Sequence, residues 1–149
     1  HPAFMCPLNG EGEQTDFYIA FDSEKDLEYS VLNENGLVAI EGEALATQGG
    51  MLPIDAGLFD RDDLIIEVKQ AKKVSLCDGN KKPYLSVSFD SPLFGLWSPA
   101  GKHAPFICIE PWYGRCDKAS FEGTLEEREY GNALKPGEIF EKKYQVEIL

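Results

Sequence analysis

The strongest constraint on this chain is a two-residue rhythm of apolar and polar side chains that recurs along its length, with no helical rhythm beside it. Phe17, Ile19 and Phe21 alternate with Asp16, Tyr18 and Ala20, and Leu27, Tyr29 and Val31 resume the pattern after a turn at 22–26. Leu85, Val87 and Phe89 alternate with Tyr84, Ser86 and Ser88. Near the end, Phe140, Tyr144, Val146 and Ile148 alternate with Glu141, Lys143, Gln145 and Glu147. Successive strand side chains point to opposite faces, so each segment is expected to bury one face and wet the other. The first two segments read as a pair of adjoining strands. Residues 64–68 and 106–109 are short, nearly continuous apolar runs suited to central strands, while Asp78-Gly79 and Lys135-Pro136-Gly137 read as turns. Apart from a short helical turn around 52–59, no dozen residues repeat every 3.6. Short strands separated by frequent turns predict an all-β chain, an antiparallel β-sandwich or barrel.

Length bounds how many such units fit. At 149 residues the chain is long enough for one domain with a sizeable core and short for two, so residues 1–149 are read as a single domain. No apolar run approaches the ~18 residues of a membrane-spanning helix, which predicts a soluble chain with no membrane partner. The formal charge is −12, from 14 Lys and Arg against 26 Asp and Glu, and the cations are scattered instead of forming a stripe. Nucleic acid and anionic lipid are therefore excluded as natural partners, and a neutral ligand is favoured over an anionic one. Arg61, Lys102 and Arg115 lie near candidate site segments; they read as solvated surface cations, with a phosphate contact as the alternative.

The four cysteines, Cys6, Cys77, Cys108 and Cys116, form no Cys-x-x-Cys pair, and His1 and His103 are the only histidines, so no zinc spacing is present. Cys108 alternates with Phe106 and Glu110 in a strand-like run and reads as a small buried hydrophobe. With no sequon and no signal-peptide pattern, reduced thiols in a cytoplasm are the consistent expectation. No metal or organic cofactor is called for.

The chemistry concentrates in Cys108-Ile109-Glu110-Pro111-Trp112-Tyr113-Gly114, where a carboxylate ends an apolar run and aromatic rings follow it. A carboxylate exchanges protons with sugar hydroxyls, and an indole packs on the apolar C–H face of a pyranose. Pro111 is expected to end regular pairing and leave Glu110 at a strand terminus. Trp112, two residues on, points to the same side of an extended segment. From these residues alone, a salt-bridged surface Glu110 stands beside a catalytic one.

The same seven residues resemble the signature of the aldose 1-epimerase (galactose mutarotase) superfamily, in particular its LacX-like branch. Three other segments resemble it too. His1-Pro2-Ala3-Phe4 matches the His-x-x-Phe context of the family's catalytic histidine. Leu58-Phe59-Asp60-Arg61-Asp62-Asp63-Leu64-Ile65 resembles Leu-Phe-x-x-Asp-Ala-Leu-Ile, and Phe94-Gly95-Leu96-Trp97-Ser98-Pro99 resembles a strand ending near the pocket. The resemblance implies the C-terminal portion of a galactose mutarotase-like supersandwich. It also implies an enzyme that interconverts the anomers of a free hexose, with Glu110 as general base and His1 as general acid. Asp62, Trp112 and Trp97 are then the sugar-binding residues. Asp63 stands where the family has a small residue, which leaves Asp60, Asp62 and Asp63 in competition for the sugar. A calcium cage is the poorer reading of this acidic trio, because no twelve-residue loop with a central glycine is present.

His103, in an exposed-looking turn, competes with His1. The chain opens on His1 without methionine and matches what lies near the middle of relatives about twice as long, so the missing N-terminal half, or a second copy, is the expected partner beside the hexose. The acidic stretch 117–132 reads as a solvated loop, with a lid as the alternative. Two other classes stay open: a non-catalytic carbohydrate-binding module built on Trp97, Trp112 and Tyr113, and a glycoside hydrolase pairing Glu110 with Asp62.

Overall fold

The computed structural model describes residues 1–39 and 42–149. Its strands are β1 (Ala3–Met5), β2 (Tyr18–Phe21), β3 (Leu27–Tyr29), β4 (Glu43–Leu45), β5 (Met51–Pro53), β6 (Leu64–Ile66), β7 (Lys73–Cys77), β8 (Pro83–Phe89), β9 (Leu93–Trp97), β10 (Phe106–Trp112) and β11 (Tyr144–Ile148). They form a four-stranded sheet in the order β1-β10-β9-β6, a five-stranded sheet β11-β8-β7-β2-β5 and the small pair β3-β4, with antiparallel pairing throughout. Among the described residues the only helical elements are three single 3-10 turns, and no helix is long and apolar enough to cross a membrane.

The alternation explains the core. Ile19 and Phe21 from β2, Val74 and Leu76 from β7, and Leu85, Val87 and Phe89 from β8 face Leu64, Ile66, Phe94, Leu96, Ile107 and Ile109 of the four-stranded sheet in one buried cluster. Phe94 sits at the seam, 5.1 Å from Phe89 and 6.4 Å from Phe21 between ring centroids. Two sheets closed over their apolar faces make a β-sandwich.

Four local expectations are corrected. The segment around 17–21 does not pair with that around 27–31. β2 lies between β5 and β7, while β3 pairs with β4, so the two segments join different sheets and the turn between them does not form a hairpin. The run 64–68 stops as a strand at Ile66, and Val68 turns out to solvent at 79% exposure with a left-handed φ of 64°. Residues 52–59 make no helix; β5 runs through Pro53 and turns follow. All of β11 is exposed, Ile148 at 76%, as an edge strand paired only with β8 and left uncovered by the described residues. The turns at Asp78-Gly79 and Pro136-Gly137 are present.

Candidate active site on the outer face of the four-stranded sheet

Register decides which side chains share the face opposite the core. Cys108 pairs with Ala3 on one side and Trp97 on the other, Glu110 pairs with Gly95, Trp112 pairs with Leu93, and Gly95 pairs with Ile65. Strand alternation puts all of these on one face, and His1, two residues before Ala3, extends it. Pro111 does not end β10, which continues to Trp112. The Ile109 amide donates to Pro2 O, so by alternation the amide that Pro111 lacks belongs on that same β1 side, where the short β1 has already run out. No ladder bond is lost. Glu110 therefore lies within a paired strand, not at its end, and is 2% exposed.

Four aromatic and ionisable groups close around this carboxylate. His1 Nδ1 lies 3.2 Å from Glu110 Oε1. Trp112 Nε1 donates to Glu110 Oε2 at 3.2 Å. Trp97 stands edge-on to the His1 ring with centroids 5.7 Å apart, and its Nε1 donates to Asp62 Oδ1 at 2.7 Å. The five residues singled out for chemistry, His1, Asp62, Trp97, Glu110 and Trp112, thus form one connected group. His1 is exposed on its far side, open to proton exchange with solvent. His103 lies elsewhere, exposed in a turn that borders a cleft of about 410 Å³ lined also by Gln14, Asp55, Asp60 and Ser98. That cleft contains none of the five residues.

Burial raises the proton affinity of Glu110 above the ordinary carboxylate range. Donation from Trp112, the positive chain end at His1 and the Cys108 thiol pull it partly back. Its Oε1 is buried without a hydrogen bond, since the His1 contact lacks hydrogen-bond geometry. A desolvated carboxylate oxygen that accepts no hydrogen bond is poised to take a proton. Cys108, buried beside it, is pushed up to about 11 by burial and by the charges of Glu110 and Asp63, so it stays a thiol.

Spacing along the chain gave no metal constellation, yet the fold brings His1, Cys108 and Glu110 within 4.8 Å of one another. Each of the three could offer a ligand atom, but burial holds Cys108 as the thiol, whereas metal ligation needs the thiolate.

Two supporting residues escaped the sequence reading. Gly95 sits under the Trp112 indole, where a Cβ would come within 2.6 Å of Cζ2; a glycine inside an otherwise apolar strand is the signal for such an approach. Arg115, expected as a solvated cation, has a side chain only 2% exposed and donates to Glu67 at 2.7 Å, to Glu129 and to the Cys116 carbonyl. With Arg128 donating to Asp117 at 2.7 Å, it fastens the acidic segment 117–132 against the sheet. Arg61 is engaged with Glu43 and the Tyr29 hydroxyl. Val38, Ile65 and Leu93 form a second small core against which Trp112, Cys116 and Tyr130 pack, so the indole is held from behind.

No family model matches the chain. Protein LacX of Lactococcus lactis subsp. lactis, in its chromosomal and plasmid forms, is 29% identical over 153 residues, covering 100% of this chain and 50% of LacX. A galactose mutarotase related enzyme from Lactobacillus acidophilus superposes with a TM-score of 0.84 at 29% identity, over 100% of this chain and 50% of that one. A galactose mutarotase-like protein from Lactobacillus casei ATCC 334 shares the fold, with a TM-score of 0.73 at 23% identity over 97% of this chain and 49% of that one. The fold is galactose mutarotase-like, and the chain spans about half the length of the curated relatives it matches.

Proposed function

We infer that this chain, similar along its whole length to LacX and to a galactose mutarotase related enzyme, carries the acid/base centre of an aldose 1-epimerase that interconverts the anomers of a free hexose. The observation that supports it most is the 3.2 Å approach of His1 Nδ1 to the buried Glu110 Oε1. Anomer exchange needs one group to take the proton of the anomeric hydroxyl while another protonates the ring oxygen. Glu110, desolvated and short of partners, takes the first proton; His1, exposed on its far side, donates the second. The C1–ring-oxygen bond breaks as the C1 carbonyl forms, the chain turns about C1–C2, and closure on the other face returns both protons. Trp112 and Trp97 offer apolar walls to the ring, and Asp62 accepts a sugar hydroxyl.

The site residues favour a neutral sugar over a phosphorylated one. Asp62, Asp63 and Glu110 are acidic, while Arg61 and Arg115 are engaged with carboxylates. Because the chain spans half of its relatives, the remaining sugar contacts belong, in this reading, to an upstream segment or a second copy.

Polarimetry tests the assignment. Glu110→Gln is expected to slow D-galactose mutarotation by about a hundredfold or more, the usual worth of a general base. A Gln variant as fast as the parent removes Glu110 from the mechanism, and sugar binding without any acceleration over buffer marks a carbohydrate-binding module instead.

A further inference from the structure

Asp63 is a carboxyl beside this site that the acid/base scheme leaves unused. It lies just ahead of β6, two residues before Ile65, so alternation turns it toward the face that holds Gly95, Trp97 and Glu110. Its Oδ1 is buried with no hydrogen-bond partner, and the same holds for Glu110 Oε1. Glu110 Oε1 has the His1 imidazole at 3.2 Å, whereas Asp63 Oδ1 has no such contact, and a buried carboxyl oxygen left so costs free energy unless a ligand or a proton satisfies it. Asp62, the neighbouring carboxylate, differs in being exposed and bonded to Trp97.

Burial, with the groups around it, sets the state of Asp63. Glu110 and Cys108 come from β10, His1 precedes β1, and Asp62 is on its own segment; β9 contributes the non-titrating Trp97. Burial first, then the charges of Glu110 and Asp62, push its carboxyl up to about 7. When two nearby carboxyls share a desolvated site, one ionises and the other keeps its proton. The charged form of Glu110 is the one a base requires, which leaves the proton on Asp63.

We propose that Asp63 is a further substrate-contacting residue, a neutral carboxylic acid that donates a hydrogen bond to a hydroxyl oxygen of the bound hexose while Glu110 carries the negative charge. This rests on the epimerase reading above and deepens it. It makes the site donor and acceptor at once, with Asp62 accepting from one hydroxyl and Asp63 donating to another.

The test is a ¹³C-carboxyl titration of aspartate-labelled protein, including any upstream segment of the natural chain, with D63N to assign the signal. The Asp63 carboxyl should titrate near neutrality, and Glu110→Gln should lower its midpoint by removing the neighbouring charge. Saturating D-galactose should raise the midpoint by about one pH unit, since the donated bond exists only in the protonated form. Between about pH 6 and about pH 8.5 the parent should lose about ten times more of its kcat/KM for mutarotation than D63N, which keeps a donor at every pH. An Asp63 signal titrating in the ordinary carboxylate range overturns the proposal, as does a midpoint unmoved by D-galactose that calorimetry shows to be bound. Failure of the epimerase reading looks different: Glu110→Gln would be as fast as the parent, whatever Asp63 does.

Discussion

β10, a nearly continuous apolar run, and β11, an alternating one, both read as strands and meet different fates. β10 is paired on both sides, backed by the sandwich core through Ile107 and Ile109 and flanked on its other face by the small core at Trp112. β11 is paired only with β8 and is exposed at every residue. Local pattern thus predicts a strand, while the cover over its faces is decided by neighbours that local sequence does not name. The candidate base sits where cover is greatest, because burial raises the proton affinity of Glu110.

Three substitutions sharpen this contrast. The largest effect belongs to Phe94→Ala, which empties the seam between the sheets beneath the site and should cost about 3–5 kcal/mol of stability in chemical denaturation; a small loss would mean the two sheets are not tightly packed there. Next is Gly95→Ala. The added methyl meets the rigid indole ring of Trp112, which is held from behind, so the Trp112–Glu110 hydrogen bond should break and D-galactose affinity fall about tenfold in calorimetry. Unchanged affinity would show that Trp112 is not a sugar wall. The smallest belongs to Val146→Thr on β11, expected to change the stability of this chain by less than about 0.5 kcal/mol. A cost comparable to that of Phe94→Ala would reveal a cover over β11 that these residues do not supply.

Much of the sandwich was legible because strand formation is a local signal. The alternation of Leu85, Val87 and Phe89 and the apolar run ending at Glu110 both lie in strands where expected. Pairing was not legible, since β2 takes β5 and β7 from farther along the chain while β3 pairs with β4 instead of β2. Within the site, the i, i+2 spacing of Glu110 and Trp112 already put them on one side, and the resemblance drew attention to His1, Asp62 and Trp97. What escaped was Gly95 and the placement of Asp63, which the sequence left in competition with Asp60 and Asp62. Their relation to Glu110 runs across three strands and appears only when the register Ile65–Gly95–Glu110 is known. Arg115 escaped for a similar reason: its carboxylate partners are Glu67, just after β6 and far back in the chain, and Glu129.

The central claim is that a hexose binds over Glu110 between the two indoles. Trp97 and Trp112 are the only tryptophans of this sequence, and each uses its Nε1–H in a bond to a site carboxylate. Titrating D-galactose while reading those two indole N–H resonances, assigned by Trp97→Phe and Trp112→Phe, tests it most directly. The account predicts that both signals move together and saturate at one sugar concentration. Two indole signals that stay fixed while calorimetry records sugar binding would place the sugar elsewhere and contradict it.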